Sequence, residues 1–524
     1  AAAAGVVMLV ACANLSNLLL ARGQTRRKEM AIRSTLGADR FRLIRQLTVE
    51  SLVLAGCGGL LGVAFAYGVT QAVANTTAVS IPMLSSVSID GLTLLFTLGV
   101  TILAGLLMGI VPALQFSQAR EAEVINDSSR GSTEGKRSAA LREGLVVGEV
   151  GLACVLLVAG GLLLRSFLSV LDVDLGFQPA GAVAWEVETN RSFDSLSERT
   201  AFYYEMLDRV EALPGVDAAG FTDTPPLGRN RSWGIRALGV EYAEGEAPSA
   251  FPRIVDWRYL QVMDIPLVAG RHFSVDDHSE SPQVVVLNET AVETLFPGQD
   301  PIGQSIVTAG GEWEVIGVVG NVRHQSLEES SGLEMYLPMT QMGYYGSLVM
   351  VVRSPLTVGT LAGSVRSALQ DADPMMPTGD FWTMESVVDR SVSPRRFTLI
   401  LVAAFAGTAL LLAALGIYAV LSFSVSQRIP EIGIRMALGE SPATMLRRVV
   451  GRTMVLAGTG VAIGAAGSLA VSRVMQSLLY GIGSTDVPSF AAMALILLGV
   501  SAVAGFLPAR RAATTDPIEA LRVG

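Results

Sequence analysis

Along this chain polar and apolar positions alternate on two length scales. Long apolar runs separated by polar loops lie at 1–21, 50–70, 91–114, 144–168, 397–424, 450–475 and 490–508. Each is long enough to cross a bilayer as a helix, which takes about 20 residues. Between 172 and 392 the periods shorten to those of a soluble fold. "AVAWEVET" (Ala182–Thr189) alternates as a strand does, and "ERTAFYYEMLDRVEAL" (Glu198–Leu213) carries Phe202, Met206 and Val210 at the spacing of an amphipathic helix. "PGVDAAGFT" turns into another strand. "PQVVVLNETAVETLF" reads as strand, Asn288 cap and helix, "WEVIGVVGNVR" as a strand ending near Gly320, and "LVMVVRS" with "TVGTLAGSVRSALQDADP" as a second strand–helix pair. Two such pairs flank a more β-rich middle. The predicted fold class is a helical membrane protein with about seven spanning helices and an α+β two-lobed extracytoplasmic domain.

The membrane segments repeat. "EMAIRSTLG" (Glu29–Gly37) returns 402 positions later as "EIGIRMALG" (Glu431–Gly439), with Glu, Ile, Arg, Leu and Gly identical in register. Arg45 matches Arg447, "VLAG" at Val53–Gly56 matches Val455–Gly458, Gly62 falls on Gly464, and "GIVPA" (Gly109–Ala113) matches "GFLPA" (Gly505–Ala509) after a small shift. Gene duplication is the simplest account. The expected organisation is a first three-helix unit at 1–115, a cytoplasmic linker at 116–143, a linking transmembrane helix at 144–171, the α+β body at 172–392 and a second three-helix unit at 393–524.

Composition supports the membrane class, with 50% hydrophobic residues, 16% charged residues and a mean hydropathy of +0.48. The charge is divided. Residues 172–392 hold 32 acidic side chains against 13 Arg and no Lys, a balance of −19, whereas the remainder carries +10. Loops 22–48, 117–143, 425–448 and the tail after Pro508 contain 20 of the 25 bases outside the body; 71–90 and 476–489 contain none. The positive-inside rule then puts those four regions and the C-terminus in the cytoplasm, and the acidic body and residue 1 on the outer face. The basic excess lines membrane edges and not one folded face, so no nucleic-acid partner is expected. Cys12, Cys57 and Cys154 all lie in apolar runs, and the body, with none, is not disulfide-stapled. The opening run lacks an initiating Met and a basic leader, which reads as a spanning helix already under way.

The twin loops are the candidate site. Glu29 and Arg33 are four apart and share a helix face, as do Glu431 and Arg435. Gly37 and Gly439 are placed to end each short helix; Asp39 in one copy, and Ser441-Pro442 in the other, are placed to start the next. A basic helix resting on anionic lipid is the plainer reading. Lipid, however, asks only for positive charge, and retention of Glu, Arg and Gly in register points to a protein partner.

These E-x-x-I-R-x-x-L-G loops, the G-x-x-P-A endings and the closing "DPIEALR" (Asp516–Arg522) resemble FtsX-like permease domains. The body, with "GFQPAG", "PLVAGRHF", "VVVLNETAVETLFPGQDPIGQSI" and "VIGVVGNVR", resembles the periplasmic core domain of the macrolide-exporter family. The tandem arrangement is similar to duplicated orphan permeases of the acidobacterial type, relative to which a first helix and first outer domain are missing. The resemblance implies a multi-pass permease of the bacterial inner membrane, not an enzyme. It would work with a cytoplasmic ABC ATPase dimer that binds the ATP and magnesium, and it leaves room for a periplasmic adaptor or outer-membrane channel. Glu29, Arg33, Gly37, Glu431, Arg435 and Gly439 would mark two coupling helices in a mechanotransmitting system for export, efflux or lipid extraction. The alternative is a transducer relaying the ATPase state to an extracytoplasmic enzyme or sensor.

Other features carry less. "GSTEGKRS" (Gly131–Ser138) is one residue short of a nucleotide-binding P-loop and has Arg137 where Ser or Thr would hold magnesium. His272, His278 and His324 have no metal-ligand spacing. Asp276, Asp277, Asp371 and Asp373 read as turn carboxylates. Asn14, Ser16 and Asn17 in the first span read as helix–helix hydrogen-bonding groups. Arg165, Arg395 and Arg396 read as side chains snorkelling at helix ends.

Overall fold

The computed structural model describes residues 2–25, 40–74, 90–117, 133–189, 191–243, 245–343, 347–376, 379–427, 434–435, 438 and 440–513. Helices α1 (Ala2–Thr25), α2 (Arg40–Ala74), α3 (Gly91–Ser117) and α4 (Thr133–Leu171) come first. Then follow β1 (Ala182–Val187), α5 (Leu196–Glu211), β2 (Ala218–Thr222), β3 (Trp233–Gly234), β4 (Arg236–Ala237), β5 (Ser249–Val255) and α6 (Tyr259–Val262). Next are β6 (Leu267–Gly270), β7 (Val284–Asn288), α7 (Glu289–Leu295), β8 (Ser305–Thr308), β9 (Gly311–Val319) and β10 (Glu334–Pro338). β11 (Leu348–Arg353), α8 (Val358–Ala372) and β12 (Trp382–Thr383) complete the sheet region, and α9 (Met384–Gln427), α10 (Pro442–Val474) and α11 (Val487–Ala513) close the chain. The chain divides into two compact units, one of Ala1–Ser169 with Arg395–Gly524 and the other of Val170–Pro394.

The first unit is helical. Among the described residues, five helices are long and apolar enough to cross a membrane, over Thr48–Ala72, Ala140–Leu171, Met384–Gln427, Pro442–Val474 and Val487–Arg511; α1 and α3 add shorter apolar stretches at Ala2–Leu18 and Gly91–Leu107. Leu60, Leu61 and Phe65 on α2 and Leu92, Leu95 and Phe96 on α3 are exposed, as side chains meeting hydrocarbon should be. α4 is instead enclosed: Val146, Val150, Ala153 and Leu157 pack with Ala409, Ala413 and Ile417 of α9 and Leu497 of α11. It begins at Thr133 and not at the expected 144, because "TEGKRSAALR" is rich in helix formers and contains no proline.

The duplication is visible in the packing. On α3, a Cβ at Gly109 would lie 3.2 Å from Ser51 Oγ of α2; on α11, one at Gly505 would lie 2.7 Å from Thr453 Oγ1 of α10. Ser51 and Thr453 are counterparts at the 402-residue offset, and both are buried. Each copy thus closes its helix hairpin by setting a glycine against a small hydroxyl.

The second unit is built on one mixed sheet, in strand order β12-β1-β11-β2-β5-β10-β7-β9-β8-β4, with β3 on β5 and β6 on β9. Pairing is antiparallel except for β5–β10 and β7–β9. The predicted strands and helices are present, and Asn288 caps α7 by accepting from the Ala291 N–H at 3.0 Å. The two lobes are two halves of this one sheet under different helices. α5 and α8 lay Phe202, Met206, Val365 and Leu369 on Trp185, Phe221 and Met350 of one half. α7 lays Ala291 and Leu295 on Val285, Leu287 and Trp313 of the other. Alternate residues such as Val286 and Val351 face the opposite side, where Tyr259 and Leu260 of α6 cover them. Each large apolar side chain so buried contributes about 1.5–3 kcal/mol. The parallel β5–β10 pair joins the halves.

Candidate functional site

Of the six loop residues singled out by the repeat, Arg435 is described; Glu29, Arg33, Gly37, Glu431 and Gly439 lie outside the described residues. Arg435 sits on a short helical turn between α9 and α10 and is exposed. The Leu438 N–H donates to Ile434 O at 3.0 Å, and the Glu440 N–H donates to Arg435 O at 3.0 Å, a bond spacing that ends a helix. Ser441 then caps α10, its Oγ accepting from the Thr444 N–H at 3.3 Å, with Pro442 in the first turn as its φ preference suits. Glu440 is tied back by Arg448 at 3.1 Å. Two large apolar side chains on this turn are left uncovered: Ile434 is 50% exposed and Leu438 83%. Four residues apart, they share a face.

Two of the three arginines read as snorkelling, Arg165 and Arg395, also have specific partners. Arg165 pairs with Asp486, while Arg395 donates to Ser166 Oγ at 3.4 Å and to Leu478 O at 3.2 Å, tying α9 to α4 and to the segment after α10. The asparagines of α1 make the expected interhelical bonds. Asn14 Nδ2 donates to Leu412 O of α9 at 2.5 Å, and Asn17 Nδ2 to Glu149 Oε1 of α4 at 3.4 Å. Glu149 escaped the sequence reading; its signal was a lone carboxylate within an apolar run.

A second polar cluster, also missed, lies in the sheet where β5 meets β10. Arg253 and Glu334 are both 1% exposed, their Nη2 and Oε1 4.0 Å apart, which is attraction without a hydrogen bond. Tyr336 donates to Glu334 Oε2 at 3.1 Å, and His324 Nε2 lies 3.3 Å from both Tyr336 Oη and Glu334 Oε2. Arg253 donates to Asn230 Oδ1. Burial, partly offset by Arg253, pushes the Glu334 carboxyl up to about 8. Burial and the Arg253 charge hold the His324 imidazole well below its ordinary range. The clue was Arg253 and Glu334 interrupting otherwise apolar strands. His324 is thereby a hydrogen-bonding core residue, and among the described residues no three His, Cys, Asp or Glu side chains converge on a metal site. Asp277 serves a turn, accepting from the Ser274 N–H and from Arg271 at 2.8 Å each.

Two family models match in an interleaved pattern. The FtsX-like permease C-terminal model matches residues 1–119 and again 403–517, and the MacB-like periplasmic core domain model matches 145–369. The class is therefore that of membrane permeases with an extracytoplasmic α+β domain. More particularly, the chain belongs to the MacB/FtsX-like ABC permeases, and it is a multi-pass inner-membrane protein. It is 28% identical over 272 residues to the macrolide export ATP-binding/permease protein MacB of Azoarcus sp., covering 51% of this chain and 41% of that one. It is 29% identical over 314 residues to a probable syringafactin export ATP-binding/permease protein, SyfD, of Pseudomonas syringae, covering 57% and 44%. With the MacB of Campylobacter jejuni it shares 25% over 400 residues, 72% of this chain and 58% of that one. The chain thus spans about half the length of these relatives. Among solved structures, the periplasmic region of MacB from Actinobacillus actinomycetemcomitans is similar at TM-score 0.29 and 17% identity, over 42% of this chain and 96% of that one. The class rests on the family models.

Proposed function

We propose that the chain couples ATP turnover in a separate cytoplasmic ABC ATPase dimer to movement of its extracytoplasmic domain, driving export or the extraction of a lipid or lipoprotein. ATP and magnesium belong to that partner. The loops at Glu29–Gly37 and Glu431–Gly439 are the handles, facing the cytoplasm with the C-terminus. A periplasmic adaptor or outer-membrane channel would engage the domain on the far side. Similar proteins are named for macrolide and syringafactin export, which supports the export reading.

The observation that supports the reading is the exposed turn at Ile434, Arg435 and Leu438, closed at its C-terminal end and followed by the capped start of α10. Two apolar side chains on one face beside a guanidinium suit insertion of a short helix into a groove on a protein. Burying Leu438 alone would contribute about 1.5–3 kcal/mol. The test is charge reversal, Arg33→Glu with Arg435→Glu, in a tagged chain. ATPase activity should cease to co-purify while membrane insertion is unchanged. Normal co-purification by both single and double variants would refute the handles.

A further inference from the structure

One carboxyl inside the membrane unit has no countercharge among the described residues. Glu149 is 1% exposed on α4, with α1 and α9 against it. Its Oε1 accepts from Asn17, but its Oε2 and the Oδ1 of Asn17 are buried without a partner. Gly416 of α9 makes the room: a Cβ there would collide with Glu149 Oε2 and lie 3.2 Å from Asn14 Oδ1. At the ungapped repeat offset Gly416 is the counterpart of Asn14. One position therefore supplies an amide in the first copy and space for a carboxyl in the second.

Among the described residues, several titratable and charged groups on the surrounding helices are engaged elsewhere or uncharged. Arg142, on α4, lies over the Phe423 ring of α9 at 4.7 Å, Glu143 pairs with Arg452 of α10, and Tyr418 of α9 accepts from Arg511 at 3.0 Å. Cys12 of α1 and Cys154 of α4 are buried thiols. Among the described residues no cation pairs with Glu149. An ionised carboxylate so placed is strongly disfavoured by its lost solvation, and each buried acceptor without a hydrogen is destabilising as well. A single proton on Oε2 removes the charge and makes that oxygen a donor to a neighbouring amide oxygen.

We infer that Glu149, Asn14 and Asn17 form an intramembrane proton-binding site, whose occupancy holds α1 of the first repeat to α4 and to α9 of the second. The proton comes from water onto Oε2 and returns to water; no other bond changes. With the proton present, the three helices share a closed hydrogen-bonded junction. With it gone, a charge and unmatched acceptors remain in an apolar interior, and the junction must part or admit water. Movement of α1 against α9, the relative motion of the two repeats, thereby becomes sensitive to protonation.

The test is infrared difference spectroscopy on the detergent-solubilised native chain against Glu149→Gln, with exchange into D2O. The native-minus-variant difference should contain a protonated carboxyl C=O band that shifts in D2O. In Asn17→Leu that band should move to higher frequency as its bonding partner is lost. A measurement needing no variant is labelling of the native chain with an apolar carbodiimide, which attacks the neutral acid. The adduct should map to Glu149 at neutral pH and fade as the pH is raised. A Glu149 that shows only the ionised carboxylate band, or that stays unlabelled at every pH, would overturn the site; so would a band unmoved in Asn17→Leu.

Discussion

At the scale of residues, the chain places its buried charges at joints, where they respond to pH. Glu334 sits on one of the two strands joining the halves of the sheet, and burial lifts its carboxyl from the ordinary 4.5 to about 8. Between those values the folded state keeps a proton that the unfolded state has released. The contribution of this group to stability is therefore complete below 4.5 and is lost as pH rises toward about 8. His324 runs the other way: its lowered pKa gives stability that is present above its unfolded value of 6.5 and lost as pH falls. Asp256, whose carboxyl burial lifts to about 7, shares the decline up to that value, and the Glu334 decline continues beyond it. Replacing it, Glu334→Gln, should flatten the loss of stability on the alkaline side. Tryptophan fluorescence reads this unit selectively, because all five tryptophans, at 185, 233, 257, 313 and 382, lie within it. An equally steep decline in the variant would mean that Glu334 ionises freely in the fold.

At the scale of elements, the two repeats use the same sequence signals in different surroundings. Gly464 of α10 packs on α4, where a Cβ would lie 2.5 Å from Cys154 Cβ; its counterpart Gly62 on α2 has nothing within 4 Å. Gly464→Leu should cost about 1–3 kcal/mol through overpacking, and Gly62→Leu should be close to neutral. Heating a Cys57→Ser background with a thiol-reactive dye checks this, since Cys154 is buried beside Gly464 and should unmask at lower temperature only in the first variant. Equal effects would contradict the observed asymmetry. The same contrast explains what the sequence could convey. The period of "AVAWEVET", the cap at Asn288 and the Ser441-Pro442 start are local, and each stands in the structure where the pattern put it. Partners distant in sequence were not legible. Nothing in "LREGLVVGEVGLA" names Asn17 as the neighbour of Glu149, and strand periodicity cannot show that the two lobes share one sheet. For the same reason Arg165 and Arg395 looked like snorkelling side chains until Asp486, Ser166 and Leu478 were found beside them.

At the scale of the whole molecule, an acidic α+β domain belongs to a membrane unit whose two halves derive from one ancestor and meet at a polar junction. If the loop around Arg435 is where an ATPase grips, truncating both exposed apolar side chains together, Ile434→Ala with Leu438→Ala, should weaken association at least tenfold. That corresponds to about 1.4 kcal/mol, less than full burial of one leucine supplies; a binding assay on the solubilised complex would read it. The most direct measurement is a photo-crosslinking amino acid at Leu438 in cells, with one at the exposed Leu60 of α2 as the control. The account predicts an adduct between position 438 and a nucleotide-binding subunit, altered when ATP turnover is trapped, and lipid adducts alone at position 60. Lipid adducts alone at position 438 would contradict it.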